Sequence, residues 1–201
     1  MSLTNTPTPD QIKRVPKALL HDHLDGGLRT ETIIEIAQKI SYKKLPTEDP
    51  KKLAEWFEDS CNSHSLVRYL ETFSHTIAVM QTKEAIIQVA RECAIDLARD
   101  GVVYAEVRGA PELFTEQGLS IDQVVEATTE GYKQGMAEAA REGKKIRVES
   151  LLCGMRQNNR SQEAAAAVVK YHNKGVVGFD IAGPEDGFPP TKQLDTFEYL
   201  R

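Results

Sequence analysis

The most concentrated chemistry in the sequence is His21-Asp22-His23-Leu24-Asp25-Gly26-Gly27. In an extended segment alternate side chains share a face, so His21 and His23 aim at one point and Asp25 follows one step beyond. Two imidazoles so placed can share a metal ion. HxH is also short enough to arise by chance as two polar loop histidines. Just before the motif, Ala18-Leu19-Leu20 is a brief apolar run that gives way to polar residues and a glycine pair, which predicts a first strand passing into a loop.

The elements that must position this motif follow from periodicity. Three prolines in the first sixteen residues predict an irregular lead-in over 1–15 with at most a short helix at Asp10 to Val15. After the first strand, Thr30 is expected to cap a helix carrying Ile33, Ile34, Ile36 and Ala37, and a shorter helix is expected around Leu53 to Phe57. A long helical region spans Ser65 to Met80. Another begins at Thr82 and keeps its apolar spacing up to Gly101. The rhythm then changes to strand (Val102–Val107), helix (Ile121–Ala140), strand (Ile146–Cys153), helix (Ser161–Tyr171) and strand (Val176–Ile181).

Strand and helix in alternation mean parallel strands joined by helical crossovers. A closed eight-unit barrel needs about 250 residues, so this is an α/β chain with about the first four strand-helix units of a (β/α)8 TIM-type barrel. Residues 16–201 form the N-terminal part of that single domain, with a helical insertion at about 30–100. Lys192 to Arg201 keeps helical spacing to the last residue, so a second half is expected beyond it. In parallel barrels active sites gather at the C-terminal ends of strands, where the histidine motif falls, and this favours the metal reading. Zinc is the default ion for imidazole ligands, with iron, cobalt and manganese left open by ligand type.

Four segments then bring a family into view. His21-Asp22-His23-Leu24-Asp25-Gly26 resembles the HxHLDG opening of the adenosine deaminases, members of the metal-dependent amidohydrolase superfamily. Gly101 to Arg108, Leu152 to Arg156, and Gly178 to Gly183 continue the resemblance in the right order, from about Pro16 to the end. It implies a (β/α)8 barrel that hydrolyses adenosine, and deoxyadenosine with it, to inosine and ammonia in purine salvage. It further implies one Zn2+ per subunit with His21 and His23 as ligands. Asp25 would hold a ribose hydroxyl, His23 would also lie near the nucleoside, and Gly183 would present its backbone to the purine. The family's third histidine, its general-acid glutamate and its later histidine and aspartates have no counterpart in these 201 residues. No catalytic residue is therefore assigned here, and the 201 residues alone are expected to be inactive, since a catalytic zinc needs about three protein ligands.

Composition sets outer limits. Lys plus Arg number 25 against 30 Asp plus Glu, a net charge of −5, with no basic run, which argues against nucleic acid or an anionic membrane as partner. No apolar stretch reaches the ~18–20 residues of a spanning helix, nor does the first segment carry an apolar signal core. Cys61, Cys93 and Cys153 are odd in number and far apart, so they read as buried small hydrophobes in a reducing cytoplasm. The oligomeric state is left open.

Several residues carry two readings. Glu106 and Arg108 share a strand face and are expected to form an ion pair in the barrel mouth or to shape the pocket, and Arg156 is read likewise. Asp180 is either a partner of the metal site or a buried hydrogen-bonded carboxylate. Leu66, Tyr69, Leu70, Phe73 and Ile77 form either a lid, as in the family, or a core-packing face. His64, His75 and His172 are expected to be solvated or capping.

The rival substrates are adenine, whose deaminases tend to read HxHLEG, and other 6-aminopurines. A catalytically silent deaminase-like binding protein is the rival from another class. Lactam- or phosphotriester-opening relatives would need a lysine within Val176–Ile181, and the cytidine-deaminase signatures HxE and PCxxC are missing.

Overall fold

The structure, a computed structural model, describes residues 6–201, leaving the first five residues of the expected lead-in and the side chain of Leu66 outside the described residues. A short helix α1 (Pro9–Arg14) is closed by a capping box between Thr8 and Gln11. Strand β1 (Lys17–His23) follows and runs through the histidine motif, further than its apolar run alone predicts. Four helices then intervene: α2 (Thr30–Lys39), α3 (Pro50–Cys61), α4 (Leu66–Val79) and α5 (Lys83–Arg99). Strand β2 (Val102–Gly109), helix α6 (Ile121–Arg141), β3 (Arg147–Met155), α7 (Ser161–Tyr171), β4 (Val176–Ala182) and α8 (Leu194–Leu200) complete the chain.

The strands form one parallel sheet in the order β1-β2-β3-β4, the topology of successive strand-helix units of a TIM-type barrel. Helix starts follow local chemistry. Thr82 caps α5 as its sequence predicts, and Ser120 caps α6 with a capping box to Gln123. The expected Thr30 cap is not formed: Thr30 is the first helical residue, and the residue before it, Arg29, is drawn by its guanidinium to Asp96 at 2.7 Å and caps nothing. Among the described residues no helix is long and apolar enough to cross a membrane.

The main core lies between the helices and the outer face of the sheet, where Ile33, Ile36, Leu53, Ile86, Val89, Val107, Phe114 and Tyr132 are buried together. A smaller cluster of Val125, Leu152, Val168, Tyr171 and Val176 seats α6 and α7 on β3 and β4. Helices α5 and α6 cross at Gly131 and Gly135. A Cβ on Gly131 would lie 2.5 Å from the Ile87 carbonyl, and one on Gly135 2.4 Å from that of Arg91. The two missing side chains thus let one backbone rest on the other and bind the helices before β2 to those after it.

The cysteines divide. Cys153 is buried and Cys93 partly so, but Cys61, at the end of α3, is exposed, contrary to the expectation for all three. His75 is not solvated either. It is hydrogen-bonded to Tyr42 at 2.9 Å and packed edge-on against Trp56.

Candidate active site

The residues singled out in the sequence come from separate elements, and a bulge governs how β1 presents its two histidines. Leu19 pairs with Ala105 and Asp22 with Val107, so β1 carries one residue more than β2 over this stretch. A bulge of this kind bends a strand and re-aims its side chains. His21 is exposed and His23 is half-buried, yet their ring centroids lie 5.6 Å apart at an interplanar angle of 41°. With Zn–N bonds of about 2.0–2.1 Å, a ligating ring centroid sits roughly 3 Å from the ion, so two ligands have centroids within about 6 Å of each other. The pair fits two positions of one metal. Among the described residues no group of three His, Cys, Asp or Glu gathers to complete a site. Burial, then the positive charges of Arg108 and His21, push the His23 pKa below its usual value; this favours the neutral imidazole that ligates.

A cleft of about 260 Å3 takes a contribution from the end of every strand: His23 from β1, Ala110 following β2, Cys153 and Met155 from β3, Ala182 and Gly183 at β4. Leu70, Phe73 and Ile77 of α4 form its opposite wall. The α4 face is therefore a cleft wall and a packing surface at once, and it presents Phe73 edge-on to His23 at 6.4 Å. His23, Asp25 and Gly183 are brought together in this cleft, whereas His21 flanks it beside His23.

Asp25 sits in a single 3-10 turn, Leu24–Gly26, directly after β1. Its carboxyl is 5% exposed, its Oδ1 has no partner among the described residues, and burial pushes its pKa up to about 6. Unpartnered buried acceptors are costly, so this oxygen is an opening for a ligand donor. Gly183 has φ +99°, and a Cβ there would meet Gln157 Oε1 at 2.5 Å and Met155 Cε at 3.1 Å. The positive φ favours glycine, whereas the ends of the Gln157 and Met155 side chains could shift to admit a Cβ.

Buried polar side chains fasten the cleft walls. Gln81, just past α4, donates to the carbonyls of Ile77 and Leu113, both at 2.9 Å, and accepts from Glu116 N–H at 3.0 Å. Glu112 accepts from Met155 N–H at 3.2 Å and from Asn158 Nδ2 at 2.9 Å, holding the turn that carries Gln157. Neither residue stands out in the sequence, because a lone Gln or Glu has no spacing signature.

The expected Glu106–Arg108 pair is not made. Glu106 accepts from the Tyr104 hydroxyl at 2.8 Å, while Arg108 reaches across β3 to the Asp180 carboxylate and also donates to the Leu20 carbonyl at 3.0 Å. Sharing a strand face does not decide the partner, because across a parallel sheet the pairing is set by register. Asp180 thus resolves as an ion-paired carboxylate that also accepts from Ile181 N–H at 2.8 Å. Arg156 donates to the Phe188 carbonyl at 3.2 Å and to Glu185 at 3.1 Å, on the far side of the loop after β4.

A segment of a parallel strand-helix barrel thus carries a histidine pair, a buried carboxylate and a tight glycine at its strand ends. The family model for adenosine deaminase matches residues 16–201, and the chain belongs to that family. An adenosine deaminase of Streptomyces coelicolor is 56% identical over 200 residues; these are all of this chain and half of that protein, so the chain spans about half the length of such a relative. In three dimensions an N6-mAMP deaminase of Arabidopsis superposes with a TM-score of 0.78 at 24% identity, over 95% of this chain and 57% of its own. A zinc-bound amidohydrolase of Burkholderia ambifaria gives 0.71 at 20%, over 98% and 53%.

Proposed function

We propose that the whole protein is a zinc-dependent hydrolase that deaminates adenosine, and deoxyadenosine, to inosine and ammonia. The observation that carries the substrate choice is the lining of the cleft. It offers Asp25 as an acceptor for a sugar hydroxyl and Gly183 as a backbone surface for a flat base, and no Lys or Arg lines it among the described residues. In this half of the cleft a nucleoside 5′-phosphate would meet the buried Asp25 and no Lys or Arg of the described residues. A free base would leave the Asp25 oxygen without its donor. The site residues His21, His23, Asp25 and Gly183 being present together speaks against a silent binding protein.

His21 and His23 would hold two positions of the zinc, which when bound activates water for attack on the carbon bearing the amino group. His23 is kept neutral for that task by its half-burial. Asp25 accepts the sugar hydroxyl and fixes the nucleoside lengthwise. Gly183 lets the base lie against the backbone, and Phe73, Ile77 and Leu113 exclude water from the cleft. Three cysteines without disulfides agree with a reducing cytoplasm as the place of the reaction.

The test is an ultraviolet assay of the full-length protein with adenosine, adenine and AMP offered separately and the metal content determined alongside. Turnover of adenosine that disappears in His21→Ala and His23→Ala is expected. A zinc-loaded protein that ignores adenosine and turns over adenine or AMP would overturn the substrate, and a protein that takes up no metal would favour the binding-protein reading.

A further inference from the structure

The turn that follows β3 is fastened on all sides, and one side chain in it is left free. Arg156 N–H donates to the Ala182 carbonyl at 2.8 Å, and Asn158 N–H to that of Met155 at 3.0 Å, which ties the turn to the end of β4 and to itself. The buried Glu112 holds both Met155 N–H and the Asn158 side chain, and Gln193 Nε2 reaches the Arg156 carbonyl at 3.4 Å. Gln157 lies in the middle of these contacts and is exposed. Its carboxamide takes part in none of them, nor in any other hydrogen bond among the described residues. A fixed backbone thus carries an amide group whose own donors and acceptor are unused, which is how a recognition group is held ready at little entropic cost.

This amide stands in the cleft, against the surface offered to the base. Gln157 lines the cleft together with Met155 and Gly183. Its Oε1 is the atom that a Cβ on Gly183 would meet first, at 2.5 Å, so the carboxamide rests on that backbone. The chemistry of the lining singles it out as well. The other polar side chains there among the described residues are His23, Asp25 and Cys153. His23 serves the metal, and an ionised Asp25 accepts without donating. Burial pushes the Cys153 thiol up to about 12, which leaves a weak S–H donor. Gln157 alone adds N–H donors that no other group employs.

The inference that follows rests on the adenosine reading. An adenine base carries two ring nitrogens clear of the reacting carbon, N3 on one edge and N7 on the other, and both accept hydrogen bonds. We propose that Gln157 is a specificity-determining residue, donating from Nε2 to the ring nitrogen on whichever of these edges crosses Gly183. A base with carbon at that position would leave the donor unpaired. The contact selects among bases and takes no part in the chemistry at the amino-bearing carbon.

The experiment uses the full-length, zinc-loaded enzyme, unchanged and as Gln157→Met, a side chain of similar length without the donor. KM and kcat for adenosine are measured with the inhibition constants of 3-deazaadenosine and 7-deazaadenosine, in each of which carbon replaces one ring nitrogen. Gln157→Met should raise the KM about fivefold, the worth of one neutral hydrogen bond, while kcat moves less than about twofold. The analogue that lacks the contacted nitrogen should be indifferent to the substitution, and the other should weaken in step with adenosine. An unchanged KM, a loss that falls on kcat, or an equal loss for adenosine and both analogues, the mark of a merely structural role, would overturn the assignment. Absence of adenosine turnover by the unchanged enzyme is a distinct outcome, and it overturns the reading on which this assignment rests.

Discussion

Replacing Arg108 by methionine removes a side chain that ties β1, β2 and β4 together. The guanidinium is 10% exposed and pairs with an Asp180 side chain that is 34% exposed, while its second arm holds the Leu20 carbonyl at 3.0 Å. Removing one partner of a buried pair costs about 3–5 kcal/mol because a charge is left uncompensated. Asp180 keeps a third of its surface in water, which lowers the expected loss to about 2–3 kcal/mol. Asp180→Asn should cost about 2 kcal/mol, and the double substitution Arg108→Met/Asp180→Leu less than the sum, because no lone charge remains.

Urea melts of the four full-length proteins give the cycle. The Leu20 carbonyl immediately precedes His21, so Arg108→Met should also weaken zinc by about 10-fold, as loss of a supporting contact around a ligand does. A destabilisation below 1 kcal/mol, or strict additivity in the double variant, would refute the claim that this pair organises the sheet.

Gly131→Ala should destabilise by about 1–3 kcal/mol, because its Cβ would lie 2.5 Å from the Ile87 carbonyl and 2.6 Å from Ala90 Cβ, and thermal melts will show it. Gly183→Ala should cost about 1–2 kcal/mol for its positive φ and raise the adenosine KM, and an unchanged KM would remove Gly183 from the base site. Tyr132 and Ser150, whose hydroxyls have no partner among the described residues, line a pocket of about 20 Å3. One water needs roughly 10–15 Å3, so a crystal structure should show one bridging the two. Burial lowers the His75 pKa from 6.5. Protons then bind the unfolded chain more readily than the folded one, so stability falls as pH drops below about 6.5, and His75→Gln should flatten that decline in melts at pH 7.5 and 5.5.

What the sequence disclosed depended on whether a feature was local. The amphipathic period of α6 and α7 and the apolar runs of β2 to β4 place those elements within a few residues, and Thr82 marks the start of α5 by side-chain chemistry alone. The histidine motif and Asp25 are legible for the same reason, being neighbours in one short stretch. Three features were hidden because they depend on distant parts of the chain. Arg108 chooses Asp180, 72 residues away, over the nearer Glu106. His75 is enclosed by Tyr42 and Trp56 from other helices. Arg29, bonded to Asp96 67 residues away, stands at the N-cap of α2 where Thr30 was expected. The glycines at 131 and 135 did leave a signal, a spacing of four on one helix face, which marks a close crossing once a partner helix is known.

The fastening of α4 has a mechanical meaning. Gln81 pins its C-terminal end to the segment after β2 through two hydrogen bonds, with Leu113 and Glu116, and holds back onto Ile77 of the helix with a third. The opposite end begins at Ser65, whose hydroxyl reaches Arg68 N–H at 3.4 Å, beside His64 in a left-handed turn. Any swing of the helix therefore pivots at Gln81. Leu70 lies roughly 10 Å further along the lever than Ile77, at 1.5 Å per residue, and sweeps the larger arc. Traffic into and out of the cleft would then pass on the Leu70 side. Substitutions near Ser65 should change the rates of arrival and departure, while those near Ile77 alter only how tightly the occupant is held.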